Sequence, residues 1–162
     1  MVYLGLDPSI RFTGFAVIDD GEGICDLGVI KAEMGGRKSD QSRLLQLQSQ
    51  VSELCGTWTP DIVVIEDWQF RGTDARKRNK DSLKKLIWAI GACLMGVPEG
   101  LAVEMLKPQE WKGKKKKLDT ALECRRIFGL TEDLNNNASD ALMMTHVFME
   151  KANPPQMVMG GL

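Results

Sequence analysis

Residues 2 to 7 (VYLGLD) and 62 to 67 (IVVIED) are short apolar runs that each close on a carboxylate. Runs of this length read as buried parallel strands, and an acid at the end of such a strand is held rigidly at the sheet edge. If the two strands are neighbours, Asp7 and Glu66 converge. Side-chain alternation puts Tyr3, Gly5 and Asp7 on one face of the first strand and Val64 and Glu66 on one face of the second. Asp67 then points the other way and reads as a surface acid at a strand end. Converging carboxylates offer the hard oxygen ligands that magnesium and manganese prefer. Two such ions about 4 Å apart can activate water and stabilise the leaving oxygen of a phosphodiester.

The formal net charge of −1 conceals a strong segregation. Residues 71 to 85 carry Arg71, Arg76, Lys77, Arg78, Lys80, Lys84 and Lys85, and residues 107 to 117 carry Lys107, Lys112, Lys114, Lys115, Lys116 and Lys117. Thirteen of the 21 basic residues therefore fall in 26 positions, beside only Asp74, Asp81 and Glu110, and the remainder of the chain is acidic. Any one lysine run can be a solvated face. Two runs flanking the same acidic strand end favour a nucleic-acid substrate, because local field outweighs net charge.

The elements that must position these groups are legible in outline. Strands are predicted at 2 to 7, Thr13 to Asp19 and Ile24 to Ala32, with a hairpin at Asp20-Gly21 and Gly23, so the chain opens as an antiparallel meander. Helical spacing runs from Ser42 to Cys55 and is broken at Thr59-Pro60 before the strand at 62 to 67, which implies a parallel crossover. A helix follows from an N-cap at Asp81 to about Gly96, with Leu83, Leu86, Ile87, Ile90 and Leu94 on one face and Trp88, Ala89, Ala92 and Cys93 around the others. Being apolar on most sides, it should contact two partners. A strand at 101 to 106 and helices at 118 to 128 and about 138 to 151 complete the order.

Composition, 43% hydrophobic and 27% charged over 162 residues, fits one globular domain, placed at 1 to 152 with a mobile tail at 153 to 162. Cys25, Cys55, Cys93 and Cys124 form no CxxC pair, so neither a zinc site nor a disulfide framework is suggested, and free thiols fit a reducing cytosol. No apolar stretch reaches the roughly 18 residues that span a bilayer, and no charged leader precedes the first strand. A cytoplasmic protein, neither secreted nor membrane-spanning, is expected.

Three antiparallel strands followed by helix, strand, helix, strand and helix is the order of the ribonuclease H-like fold, a mixed five-stranded sheet flanked by helices. LGLDPSIRFTGFAVID resembles the opening of the RuvC Holliday-junction resolvases, VVIEDWQF their second acidic motif, and NNNASDALMMTHV their closing helix. DPSxxxTG alone also resembles the phosphate loop of actin-like kinases, but the chain is too short for their two-domain cleft; three motifs in register are specific. The resemblance covers residue 3 to about 148. It implies a metal-dependent, structure-selective endonuclease that nicks four-way DNA junctions symmetrically, with two Mg²⁺ or Mn²⁺ per site. A junction is nearly two-fold symmetric, so a C2 homodimer is expected, with the helix at 82 to 96 as its interface. Branch-migration machinery is a further implied partner. A related nuclease of broader branched-DNA or RNA specificity, or a junction-binding protein with weak catalysis, remains open.

The resemblance adds Asp140 to Asp7 and Glu66 as a metal ligand. A competing account makes Asn137 the N-cap of the last helix and Asp140 its N3 residue, where dipole and reciprocal capping favour a carboxylate. The family generally places an acid or histidine three residues before the position matched by Asp140. Asn137 stands there, able to ligate through its carbonyl but bringing no charge; Glu132 or Asp133 could substitute. Lys112 and Lys117 match positions that contact the scissile phosphate, and Lys114, Lys115 and Lys116 compete with Lys117 for that part. Ser9 and Thr13 could bind phosphate or orient Asp7, or serve the turn. An aromatic near Trp68 engages the junction in the family, so Trp68 and Phe70 could stack on bases or instead close the core. His146, roughly 240° round the helix from Asp140, reads as packing, as do Met143, Met144 and Met149.

Overall fold

The computed structural model describes residues 1–32, 39–67, 80–113, 117–131 and 134–152. In chain order the elements are β1 (Val2–Asp7), β2 (Phe12–Asp19), β3 (Gly23–Lys31), α1 (Asp40–Trp58), β4 (Ile62–Glu66), α2 (Lys80–Gly96), β5 (Ala102–Leu106), α3 (Pro108–Trp111), α4 (Lys117–Phe128) and α5 (Asn136–Ala152). Among the described residues five strands form one sheet, ordered β3-β2-β1-β4-β5. β1, β2 and β3 are antiparallel neighbours, while β4 pairs parallel with both β1 and β5. The expected mixed sheet is therefore present, with the two acid-tipped strands side by side at its centre.

Alternation sends the apolar residues of the central strands to two cores. Leu4, Leu6, Val17, Val63 and Ile65 pack with Leu47, Val51 and Cys55 of α1 and Ala89, Ala92 and Cys93 of α2. On the opposite face Ala16, Ile18, Val64 and Leu106 pack with Ala141, Leu142, Met143 and Met144 of α5, and with Trp111 and Cys124. Two glycines allow α5 to lie close. A Cβ on Gly5 would fall 1.7 Å from Thr145 Oγ1, and one on Gly14 would fall 2.0 Å from the Asn137 carbonyl oxygen.

Several element ends differ from expectation because capping, not apolar spacing, sets them. Helix α1 starts at Asp40, where the Ser39 hydroxyl accepts from the Ser42 N–H at 3.2 Å, and ends at Thr59 in the left-handed conformation. Helix α2 begins at Lys80, so Asp81 lies inside its first turn and is not the N-cap. Its buried face is the small-residue stripe Ala89, Ala92, Cys93 and Gly96, not the leucine-rich one. A Cβ on Gly96 would stand 2.5 Å from the Gln48 carbonyl, so α1 and α2 meet backbone to backbone. The short helix α3 carries no periodic signal and was not expected.

Candidate active site

Asp7 and Glu66 each stand one residue beyond the last registered pair of β1 and β4, Leu6 with Ile65. Adjacent strands lie about 4.8 Å apart and equivalent residues of parallel neighbours face the same side, so the two carboxylates leave the sheet together on the α5 face. Both are half-buried. Asp67, next along, donates its N–H to the Leu106 carbonyl at 2.9 Å.

Asp140 reaches the same end of the sheet from α5. Gly14, the antiparallel partner of Asp7, faces the backbone of Asn137 and Ala138, one helical turn before Asp140. The capping account of Asp140 does not hold. Asn135 is the cap, its Oδ1 accepting from the Asn137 N–H at 2.9 Å, and Asp140 is the fifth residue of α5, past the first turn. Asn137 is likewise not the cap: its Nδ2 donates to the Phe12 carbonyl and fastens α5 to β2. The three adjacent asparagines offered sequence reasoning no means of choosing among them.

Asp140 is 4% exposed, and both its oxygens stand 2.9 Å from Lys112 Nζ. Helix α3 presents that lysine. Pro108 opens it, Glu110 Oε2 accepts from the Lys107 N–H at 2.8 Å, and the Lys112 N–H donates to the Pro108 carbonyl at 2.9 Å. The ammonium lies 5.0 Å from the Trp111 ring centroid. The site's negative charge is felt by the thiols on either side of the sheet. Burial and the charge of Asp7 push Cys93 up to about 12, and burial with the charges of Asp140 and Glu123 pushes Cys124 to about 12. Among the described residues no three His, Cys, Asp or Glu side chains are grouped closely enough to hold an ion in this conformation.

Thr13 is the second residue of β2 and closes the turn that precedes it. It is fully buried, and its hydroxyl donates to the Ser9 carbonyl at 2.7 Å and accepts from the Ser9 N–H at 3.1 Å, so it holds the shape of the β1–β2 loop. Ser9 itself lines a cleft of about 300 Å³ with Arg11, Asp40, Arg43 and Lys85. Asp40 pairs with Arg43 at 3.1 Å and with Lys85 at 3.2 Å, and Lys85 also pairs with Asp81 at 3.3 Å; the hydrogen bond to Asp40 first, then that to Asp81, raises the Lys85 pKa. Sequence reasoning missed Arg11 and Arg43 because they are isolated in the chain and meet only through the fold. His146 packs as expected, edge-on to Phe128 at 5.1 Å with Nε2 3.4 Å from Glu150. Met143 and Met144 are buried and Met149 packs against the same core.

Lys80 is exposed at the start of α2. Trp68, Phe70, Arg71, Arg76, Lys77, Arg78, Lys114, Lys115, Lys116, Glu132, Asp133 and the tail from Asn153 lie outside the described residues, as does the side chain of Lys117. Among the described residues no helix is long and apolar enough to cross a membrane.

A family model described as crossover junction endodeoxyribonuclease RuvC matches residues 3–148. A protein of that name from Corynebacterium efficiens is 29% identical over 153 residues, covering 87% of this chain and 65% of its own; the present chain thus spans about two thirds of that relative. Another from Acidiphilium cryptum is 30% identical over 149 residues, covering 86% of this chain and 84% of its own. Among solved structures, Thermus thermophilus RuvC in complex with Holliday junction substrate superposes with a TM-score of 0.76 at 26% identity, covering 94% of this chain and 96% of that one. The yeast mitochondrial Holliday junction resolvase shares the fold, with a TM-score of 0.56 at 14% identity. With sheet order, acid-tipped central strands and closing helix all in accord, this chain belongs to the RuvC crossover junction endodeoxyribonuclease family.

Proposed function

We propose that this protein is a metal-dependent endonuclease that resolves four-way DNA junctions by paired, symmetric nicks. The observation that carries this reading is the adjacency of Asp7 and Glu66 at the carboxyl ends of neighbouring parallel strands, beneath a helix that brings in Asp140. Asp7, Glu66 and Asp140 carry the hard oxygen donors that Mg²⁺ or Mn²⁺ takes, an ion would have to draw the three together from their present spacing, and Asp140 already holds a cationic group on both oxygens. Asp7, Glu66 and Asp140 would ligate two such ions, which supply water activation and stabilisation of charge on the leaving oxygen. Lys112 and Lys117 contact the scissile phosphate, Ser9 lies beside it, and the basic segment from Arg71 through Arg76, Lys77 and Arg78 to Lys80 binds the junction arms with Lys114, Lys115 and Lys116. Trp68 and Phe70 stack on bases at the branch point. The Thermus relative, solved with a Holliday junction, supports the choice of substrate.

Two-fold cutting calls for a dimer, and α2 is the proposed interface. Its outward stripe exposes Ile87 (53%), Trp88 (39%), Leu94 (40%) and Met95 (73%) at helical spacing, an apolar surface that a second copy would cover. On the same reading the dimer works beside branch-migration machinery.

One observation favours the weaker-catalysis alternative. Asn137 brings no charge, and its Nδ2 is already engaged with the Phe12 carbonyl. Only its carbonyl oxygen remains to be offered, so one ion binds less tightly and Mn²⁺ is favoured over Mg²⁺. The test is a nicking assay on synthetic four-way junctions, flaps and duplexes, titrating Mg²⁺ and Mn²⁺, with Asp7→Asn as control. Symmetric metal-dependent nicks lost in Asp7→Asn support the proposal. Tight binding without nicking at any ion concentration supports a junction-binding protein, and metal-independent cutting retained in Asp7→Asn overturns both.

A further inference from the structure

The contact between Lys112 and Asp140 is built from two sides. Asp140 belongs to a helix seated on the sheet through Gly5 and Gly14. Lys112 follows α3, which Lys151 ties to the end of α5 by donating from Nζ to the Glu110 carbonyl at 2.7 Å. Both backbones are therefore fixed, and the adjustable part is the four-carbon lysine stem. A carboxylate as buried as Asp140 requires a counter-charge, since an uncompensated ion in the interior is strongly unfavourable. The ammonium supplies it at 2.9 Å from each oxygen, with only 16% of the lysine side chain and 6% of the aspartate exposed. An ammonium bridging both oxygens holds the chelating edge of the carboxylate and repels a second cation.

We propose that Lys112 is an exchangeable counter-cation for Asp140. It neutralises the carboxylate in the ion-free protein, yields that edge when a divalent ion binds, and swings on its stem to the phosphate. The inference rests on the reading above that Asp140 is a metal ligand. It goes further in coupling the two loads: an arriving phosphate draws the ammonium away and so strengthens ion binding, and a bound ion releases the ammonium and so strengthens phosphate binding. The lysine is then a positioning residue for the ion site as well as a phosphate contact.

The experiment is Mn²⁺ titration calorimetry on the DNA-free protein, with thermal melting in chelator alongside. Lys112→Met keeps the apolar stem against Trp111 and removes the charge; Lys112→Gln is a second variant should the first fold poorly. The expected result is Mn²⁺ affinity tighter by on the order of tenfold in the charge-removing variants, near wild type in Lys112→Arg. Melting in chelator should fall in Lys112→Met and recover when Mn²⁺ is added, which a purely structural lysine would not produce. Unchanged or weaker Mn²⁺ binding in Lys112→Met, with Asp140→Asn still weakening it, overturns the exchange and leaves the site reading intact. Mn²⁺ binding unaltered in Asp140→Asn overturns the site reading and the exchange together.

Discussion

Replacing Gly14 with alanine would drive a methyl group into the backbone of α5. The added Cβ lies 2.0 Å from the Asn137 carbonyl oxygen, 2.2 Å from its carbon and 2.8 Å from the Ala138 nitrogen. These are backbone atoms, so no rotamer change relieves the contact. Restoring an ordinary separation of 3.4 Å requires β2 and α5 to part by about 1.4 Å. If α5 moves, Asp140 moves with it; if β2 moves, it drags the Asp7 to Gly14 pairing. Either way the acids lose their mutual placement. Overpacking of this kind costs about 1–3 kcal/mol. At roughly 2–4 °C per kcal/mol for a chain of this size, melting should fall by roughly 2–12 °C. A shift of more than 1 Å among catalytic groups should lower junction cleavage about 100-fold. Gly56→Ala is the control: its Cβ, in the last turn of α1, meets nothing within 4 Å, and melting should hold or rise slightly. If Gly14→Ala melts within a degree of wild type and cleaves within twofold of it, α5 is not seated on β2 as described and the placement of Asp140 is wrong.

Four further outcomes are expected. Arg11→Ala, an exposed change beside the cleft, should leave melting unchanged and reduce the slope of log affinity against log salt for junction DNA by about 0.9, measured by fluorescence anisotropy; an unchanged slope removes Arg11 from the DNA path. Leu94→Glu with Met95→Glu should give a folded monomer in sedimentation equilibrium, and a dimer that persists would exclude α2 as the interface. Cys93 and Cys124, pushed up to about 12 by burial, are neutral in the fold and ionise more readily once unfolded. Because the folded values lie above the ordinary 9, their contribution is complete below pH 9 and is lost as pH rises toward 12, so urea midpoints should be insensitive to these thiols at neutral pH and decline above 9. Labelling should follow the same division, with half-buried Cys25 alkylated in the native protein while Cys93 and Cys124 are protected; rapid native labelling of Cys93 would contradict its burial.

The features legible in the chain are those written in local pattern. An apolar run ending on an acid announces a strand and the fate of its last side chain, because period-2 alternation needs no knowledge of the rest of the fold. That is why Asp7 and Glu66 could be paired in advance, and the helix between their strands already demanded a parallel crossover. The small-residue burial of α2 was not legible: a helix apolar nearly all round does not say which face turns inward, and the close backbone approach at Gly96 decides it. Nor was α3, whose four residues are too few for any periodicity.

The amino-acid sequence by itself determined the element order, the two acid-tipped strands and the segregation of basic residues, since each is a property of neighbours along the chain. The tertiary structure alone decided that Asn135 caps α5, that Asn137 fastens it to β2, and that Lys112 holds Asp140 across 28 positions of sequence. The placement of Asn137 and Asp140 depends on Gly5 and Gly14 letting a helix approach a sheet more closely than any side chain would permit, and no local pattern records what comes to fill the space a glycine leaves.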